Sequence, residues 1–434
     1  MIFHPNKHFK KHELYNGTLW LAGWINTAKG KLNYQFADHI IPDVRGQFAL
    51  VWSGNDGWWL AMTDHLCTYP LWYTEDGEHV FSLWEQATAH DDQVDEVFYA
   101  MRDLLHGQMT VGTRTGRQEV KRVQPDHALD RGTQVRYRHS LDVTTDGPPM
   151  SEWGDRLYQS VKRNCADGDT LFLSGGRDST TIANVAHHQG IRLRYVHVTR
   201  GEPNPDTDCT AAFADKLGIS VDYINPWDQN IDYTEGDFWH DSSYAPKRTC
   251  LTQLKRRSGV SGELGASESG SKKINTILQM PDITVEQLTN IWITTLEARN
   301  ENVASRLIHD DYTYEHTEYR FWRQAYEELI EYFENMYTEI RERTDDTHQL
   351  LKAVIMMHCQ DHEVYRLHNY SQDMELVWKH PFTDPDWYDV IWNAPIELRR
   401  VHYHNREVYR IAARQWKWFD ETAWKYGGPR GLTQ

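Results

Sequence analysis

The sequence predicts a chain of mixed α/β class, in which a β-rich N-terminal part precedes a parallel-sheet part that ends in helices. Three observations predict it. Short apolar runs bounded by turn residues fill about the first 140 residues. Beyond a stretch rich in Pro and Gly, apolar strands alternate with helical segments. The last 150 or so residues have helical periodicity.

Composition places the chain among globular proteins. It has 434 residues, 39% hydrophobic and 25% charged, which suits about two domains. No apolar run approaches the roughly 20 residues of a membrane span, and the N-terminus lacks the apolar core of a signal peptide, so we expect a cytoplasmic protein. A formal charge of −17 argues against a broad nucleic-acid surface. The five cysteines are scattered, so neither a disulfide framework nor a zinc site is expected.

The N-terminal part has a β pattern. The predicted strands, separated by Asn-Asp-Gly and Glu-Asp-Gly turns, span residues 18–25, 47–52, 58–63 and 71–74. A Pro- and Gly-rich stretch then indicates a linker. We therefore place a first domain at residues 1–141, a linker at 142–150 and a second domain at 151–434.

The second domain alternates strands with helices. Apolar strands are predicted at residues 171–173, 194–198 and 221–224, with a helix at 208–217 between the last two. This order predicts parallel βαβ units. Residues 321–344 then form an amphipathic helix with an acidic face.

The most informative segment follows the first of these strands, where Ser174, Gly175 and Gly176 lead into a helix that starts near Ser179. Glycine permits backbone angles closed to other residues and lets a phosphate approach the main chain. Hydroxyls and the free N–H groups of a helix N-terminus would then bind the anion. Asp178 would repel phosphate unless a divalent cation lay between them, which implies Mg²⁺. The simpler alternative is a turn capped by Asp178 and Ser179.

This segment resembles the loop of PP-loop ATP pyrophosphatases, which cleave ATP between its α and β phosphates. Over nearly the whole chain the order of motifs resembles the asparagine synthetase B family. Residues 44–52, 64–73 and 123–127 are similar to its first-domain strands, and residues 259–263 and 379–384 to motifs of its second domain. The resemblance implies an Ntn-hydrolase-like β-sandwich followed by an adenine nucleotide α-hydrolase-like (PP-loop) domain.

The resemblance also implies the ligands and the residues that hold them. The cofactors are ATP and Mg²⁺. We expect the nucleotide to contact Leu173, Ser174, Gly175, Gly176, Asp178, Ser179, Thr180, Val198, Gly262 and Glu263. Asp178, Glu263 and Glu268 are the expected metal ligands, although Ser267 stands where the family's second loop has an aspartate.

Three residues are candidates for catalysis by resemblance to lactam-forming relatives. Lys425 lies among glycines near the C-terminus, where such relatives carry a catalytic lysine, although a solvated tail lysine is an equal alternative. Glu375 with Tyr370 would deprotonate the attacking amine, and ordinary surface residues are the alternative.

The residue after the first methionine is Ile2, where glutamine-using relatives expose a nucleophilic cysteine. We therefore expect no glutaminase activity. The predicted function is a Mg²⁺- and ATP-dependent, AMP-forming amide ligase that joins a small-molecule or peptide carboxylate to ammonia or an amine, with self-association into a homodimer left open. The alternatives are a lactam or peptide macrolactam synthetase, a nucleobase- or tRNA-modifying PP-loop enzyme, and an inactive binding protein.

Overall fold

The structure is a computed structural model. It describes residues 1–26, 31–104, 112–138, 147–199, 201, 205–228, 244–262, 284, 287, 317–346, 349–350, 353, 356, 367, 370–395, 398 and 406–413. The chain divides into two compact units, Met1–Thr145 with Lys272–Gln372 and Asp146–Ser271 with Asp373–Gln434. The domain boundaries placed from the sequence stay a prediction.

The described strands, in chain order, are β1 (Ile2–His4), β2 (Lys10–Leu14), β3 (Gly17–Asn26), β4 (Arg45–Gly54), β5 (Trp59–Thr63), β6 (Trp72–Thr74), β7 (His79–Phe81), β8 (Val120–Arg122), β9 (His127–Asp130), β10 (Thr133–Arg136), β11 (Thr170–Phe172), β12 (Arg194–Val198), β13 (Val221–Ile224), β14 (Ser258–Val260) and β15 (Val377–Lys379).

The described α-helices are α1 (Lys31–Ala37), α2 (Trp84–Thr88), α3 (Glu96–Leu104), α4 (Trp153–Asn164), α5 (Arg177–His188), α6 (Pro205–Leu217), α7 (Tyr244–Gln253), α8 (Thr317–Arg341), α9 (Pro385–Asn393) and α10 (Arg406–Ala413). None of these described helices has the length and apolar character needed to cross a membrane.

The first unit is built on two sheets. An antiparallel sheet has the strand order β10-β9-β5-β4-β3-β2, and a second sheet has the order β1-β7-β6-β8 with β1 parallel to β7. Along β4 the side chains alternate between two cores. Phe48 and Trp52 pack with Phe36 of α1, whereas Ala49 and Val51 pack with residues of the second sheet. The expected sandwich of two sheets is therefore confirmed.

Helix α8 also belongs to the first unit, where it packs on α3. Arg114 joins them: its guanidinium lies 2.5 Å from the Asp95 carboxylate, one residue before α3, and 2.8 Å from that of Glu328 on α8. Arg136 on β10 pairs with Glu339 at 3.1 Å. The acidic face that the sequence predicts for this helix is thus partly used in ion pairs.

The second unit contains a parallel sheet with the order β13-β12-β11-β14-β15. The central strand β11 is fully buried, and Gly259 and Val260 of the neighbouring β14 are buried too, as expected for strands covered on both faces. The predicted parallel βαβ arrangement is confirmed. In such sheets ligands bind at the carboxyl ends of the strands, beside the point where the strand order reverses. In this sheet the strand order reverses between β11 and β14.

Candidate active site

The segment after β11 forms a tight loop whose shape requires glycine. Gly175 has φ of +66°, and a Cβ built on it would lie 2.7 Å from the Asp206 carbonyl oxygen and 2.8 Å from the Cβ of Cys209. L-residues rarely adopt this conformation, and the nearest atoms belong to the N-terminal turns of α6. The loop is therefore held close to α6 with no room for a side chain at Gly175.

Hydroxyl groups define the inner face of this loop. The Ser174 amide donates to the Ser179 Oγ at 3.1 Å, and the two serine Oγ atoms lie 3.2 Å apart. Thr180 turns away, since its hydroxyl donates to the Gly176 carbonyl at 2.9 Å. Gly176 is the N-cap of α5 and supplies no side-chain cap to the amides of the first turn. Hydroxyls and helix amides thus converge on one place, as an anion site requires.

Asp178 lies in the first turn of α5 with charged and aromatic neighbours. The Arg177 guanidinium donates to its Oδ1 from Nε at 3.0 Å and from Nη2 at 2.8 Å. The same guanidinium lies 4.6 Å from the ring centre of Tyr409 on α10. Burial raises the pKa of Tyr409 well above its usual range, and the hydrogen bond to the Asp178 carboxylate raises it further. The carboxylate of Asp178 is therefore fixed in direction before any ligand binds.

Behind the loop, His197 of β12 connects the strand to α6. Burial lowers the pKa of its imidazole, which is therefore neutral. Its Nδ1 donates to the Leu173 carbonyl at 2.8 Å, and its Nε2 lies 3.1 Å from the Thr207 hydroxyl. The next residue, Val198, ends β12 at the same edge of the sheet. His197 thus supports the end of β11 just before the loop begins.

The second loop, which follows β14, packs against the first. A Cβ built on Gly262 would lie 3.2 Å from the amide nitrogen of Ser179 and 3.3 Å from the Cβ of Asp178. The preceding residue, Ser261, is buried, and its hydroxyl accepts a hydrogen bond from the Lys247 ammonium at 3.0 Å. The structure thus brings together the Ser174–Ser179 and Gly262 parts of the site predicted from the sequence, whereas the Thr180 hydroxyl bonds to backbone carbonyls of its own helix.

Of four other predicted site residues, three are not described and the fourth is exposed. Glu263, Glu268 and Lys425 lie outside the described residues. Glu375 is 72% exposed and forms an ion pair with Arg248 at 3.0 Å. Glu375 is thus a surface residue of the second unit, which agrees with the alternative to a catalytic role.

Tyr370, the proposed partner of Glu375, is buried in the first compact unit, whereas Glu375 belongs to the second. The acid-base pairing of these two residues stays a prediction. Next to Glu375, the buried Asp373 has its pKa set by two opposing effects. Burial raises the pKa, but hydrogen bonds from the Glu375 and Leu376 amides and from Tyr244 outweigh it and lower the pKa below its usual value.

The Lys379–Asp384 segment has a structural role. Asp384 is fully buried, caps α9 and accepts two hydrogen bonds from Arg163 of α4, at 2.6 and 2.7 Å. The Lys379 ammonium lies 2.6 Å from the Asp169 carboxylate, just before β11. These two ion pairs hold α4, α9 and the central strands together beneath the loop.

Four residues near the site were missed by the sequence analysis: Arg177, His197, Lys247 and Tyr409. Arg177 occupies the variable position of the loop, and its charge beside Asp178 was an available signal. The other three have no motif, and only the folded chain brings them to the loop.

The carboxylates available for a metal ion are few. The described residues contain no cluster of three or more His, Cys, Asp or Glu side chains suited to one. Mg²⁺ is nevertheless often held by one or two carboxylates together with the phosphates of the substrate. Arg177 donates two hydrogen bonds to the Oδ1 of Asp178, and this carboxylate has a second oxygen that would coordinate the ion. The site therefore fits Mg²⁺ that arrives with a polyphosphate.

Comparison with known families finds one match that covers most of the second predicted domain. Residues 152–418 match the model of the family described as asparagine synthase, which is more than half of the chain. No curated protein matches the sequence significantly. The matched range includes the Ser174–Ser179 loop, Gly262 and the Lys379–Asp384 segment. The chain belongs to the asparagine synthase family.

Proposed function

We propose that this protein is a Mg²⁺- and ATP-dependent ligase that forms an amide bond through an acyl-adenylate. Family membership supports an ATP-dependent amide-bond-forming ligase in general. The observation that carries the finer proposal is the loop, with Gly175 at φ +66° and the Ser174 and Ser179 hydroxyls 3.2 Å apart at the start of α5.

In the proposed reaction a substrate carboxylate oxygen attacks the α-phosphorus of ATP. A carboxyl–phosphate bond forms, the bond to the β-phosphate oxygen breaks, and pyrophosphate leaves. The nitrogen of ammonia or of a substrate amine then attacks the acyl carbon, and AMP departs. The loop hydroxyls and the first amides of α5 bind the leaving pyrophosphate and disperse its growing charge. Bound Mg²⁺ would neutralise phosphate charge, and Asp178 is the described residue that would hold it.

We also propose that the first unit does not hydrolyse glutamine. Ile2 begins strand β1, which pairs with β7. Cys67 is buried, and its thiol donates to the Thr63 hydroxyl at 3.3 Å. Its backbone has φ of +43°, in the left-handed region, and the buried thiol with this turn conformation favours a structural role.

The experiment is ATP–pyrophosphate exchange with Mg²⁺, with amino acids and then peptides as carboxylate donors, each with and without ammonium. Exchange that depends on one acid establishes adenylation and names the donor. A product that forms without added amine would indicate an intramolecular lactam. Exchange with none of the acids, together with failure to bind ATP, would refute the proposal in favour of a binding protein.

Asp178→Asn tests the role of the carboxylate in this assay. We expect exchange to fall at least 100-fold, because a neutral amide is a poor Mg²⁺ ligand. The matched control is Asp167→Asn, which changes an exposed carboxylate of the same unit. Circular dichroism and thermal melting must show that both variants fold. Unchanged exchange in a folded Asp178→Asn protein would contradict the assignment.

A further inference from the structure

Lys247 lies in the first half of α7, the helix that leads to β14. Its ammonium donates to the Ser261 hydroxyl at 3.0 Å. Ser261 is buried, and its amide donates to the Lys379 carbonyl at 3.0 Å, which extends the pairing of β14 with β15. The Ser261 hydroxyl is therefore a well-fixed acceptor, and it holds the ammonium at the carboxyl end of the sheet.

This position is close to the predicted phosphate loop. Gly262, the residue after Ser261, lies against the first turn of α5, since a Cβ on it would be 3.2 Å from the Ser179 amide nitrogen. The Lys247 ammonium is thus separated from the start of α5 by one serine and one glycine. The lysine side chain is a flexible four-carbon stem, so its ammonium can turn toward an anion bound at that helix terminus.

The charge at the loop favours a further cation. ATP and pyrophosphate carry several negative charges, and Asp178 adds another. The Arg177 guanidinium lies on the Asp178 Oδ1 and over the Tyr409 ring, which fixes its direction. The Lys247 ammonium is held next to this loop by the Ser261 hydroxyl, and a charge-assisted contact of an ammonium with a phosphate is stronger than one with a neutral hydroxyl.

We propose that Lys247 is a catalytic residue that contacts the β- and γ-phosphates of ATP and the pyrophosphate that leaves. This inference rests on the proposed function, because it requires the Ser174–Ser179 loop to bind ATP. As the bond between the α-phosphorus and the bridging oxygen breaks, that electron pair stays on the pyrophosphate. The ammonium stabilises the resulting charge, and the proton stays on Lys247.

The test is binding of three ligands, measured by calorimetry with Mg²⁺ present: pyrophosphate, ATP and AMP. Lys247→Met should lower the affinities for pyrophosphate and ATP by about 10- to 100-fold, because one charge-assisted contact is lost. The affinity for AMP, which lacks the β- and γ-phosphates, should change less than about twofold, much less than the loss of one such contact would cause. Lys247→Arg should keep pyrophosphate binding within about threefold, because the positive charge remains.

The matched control is Lys162→Met, which removes an exposed lysine of α4 in the same unit. It should bind all three ligands as the wild-type protein does. If Lys247→Met binds pyrophosphate normally, the inference is wrong while the proposed function stands. If it weakens all three ligands equally, or Lys247→Arg fails to restore binding, Lys247 is structural and the inference is again wrong. If the wild-type protein binds neither ATP nor pyrophosphate, the proposed function fails and the inference with it.

Discussion

The substitution Gly175→Ala is the sharpest test of the loop geometry. Two costs are expected. A left-handed backbone costs a non-glycine residue about 1–2 kcal/mol. In addition, the new Cβ would lie 2.7 Å from the Asp206 carbonyl oxygen and 2.8 Å from the Cys209 Cβ, so that the loop or α6 must move. Such overpacking costs about 1–3 kcal/mol. We expect the free energy of unfolding to fall by about 2–5 kcal/mol in total.

Gly190→Ala is the matched control. Gly190 follows α5, has φ of +73°, and a Cβ on it would meet nothing within 4 Å. This variant therefore isolates the backbone cost of about 1–2 kcal/mol. Urea unfolding, followed by tryptophan fluorescence, gives the difference in the free energy of unfolding between the two variants. Calorimetry gives their affinities for ATP. Only Gly175→Ala should lose ATP binding. Equal stability of the two variants, with normal ATP affinity in both, would refute the close contact between the loop and α6.

Two further predictions concern stability. Asp384→Asn leaves the half-buried Arg163 without its buried carboxylate partner, and urea unfolding should show that the free energy of unfolding falls by about 2–4 kcal/mol. Asp386→Asn removes the more exposed partner of the same arginine and should lower it by under about 1 kcal/mol. Equal losses in the two variants would contradict the role of the buried Arg163–Asp384 ion pair. His127 is neutral in the folded protein because burial lowers its pKa to about 3. Between pH 3 and the unfolded value near 6.5 the unfolded state binds more protons, so this histidine lowers stability as pH falls through that window, by up to about 1.4 kcal/mol per pH unit. The decrease in urea midpoint from pH 7.5 to 5.5 should therefore be smaller in His127→Gln than in the wild-type protein, and an identical decrease would show that His127 does not titrate in this way.

Much of the fold follows from local patterns. The predicted strands at residues 194–198 and 221–224 match β12 and β13 at both ends, because runs of apolar residues between turn residues mark buried strands. In the first unit, the strands predicted at residues 47–52 and 58–63 correspond to β4 and β5. The strand, Gly-Gly turn and helix around Ser174 were also predicted, because all three are consecutive in the chain, while phosphate binding by this loop stays a prediction.

Other features depend on residues that are distant in the sequence. Arg163 and Asp384 form their buried pair across more than 200 positions, and nothing in either local segment predicts the other. The motif that contains Asp384 was recognised, but its structural role became clear only when α4 was seen against α9. Similarly, Glu375 was proposed as a base from its position in a motif, and the structure shows it exposed and paired with Arg248.

The sequence by itself determined the class of the fold and the order of strand, Gly-Gly turn and helix at the loop, because these depend on neighbours along the chain, and from that order it predicted phosphate binding. Only the tertiary structure decided which side chains surround the loop. Lys247 lies near it through its hydrogen bond to Ser261, the residue after β14, and Tyr409 lies over Arg177 through the position of α10. The direction of the Asp178 carboxylate depends on both Arg177 and Tyr409, and such through-space contacts have no signature in local sequence.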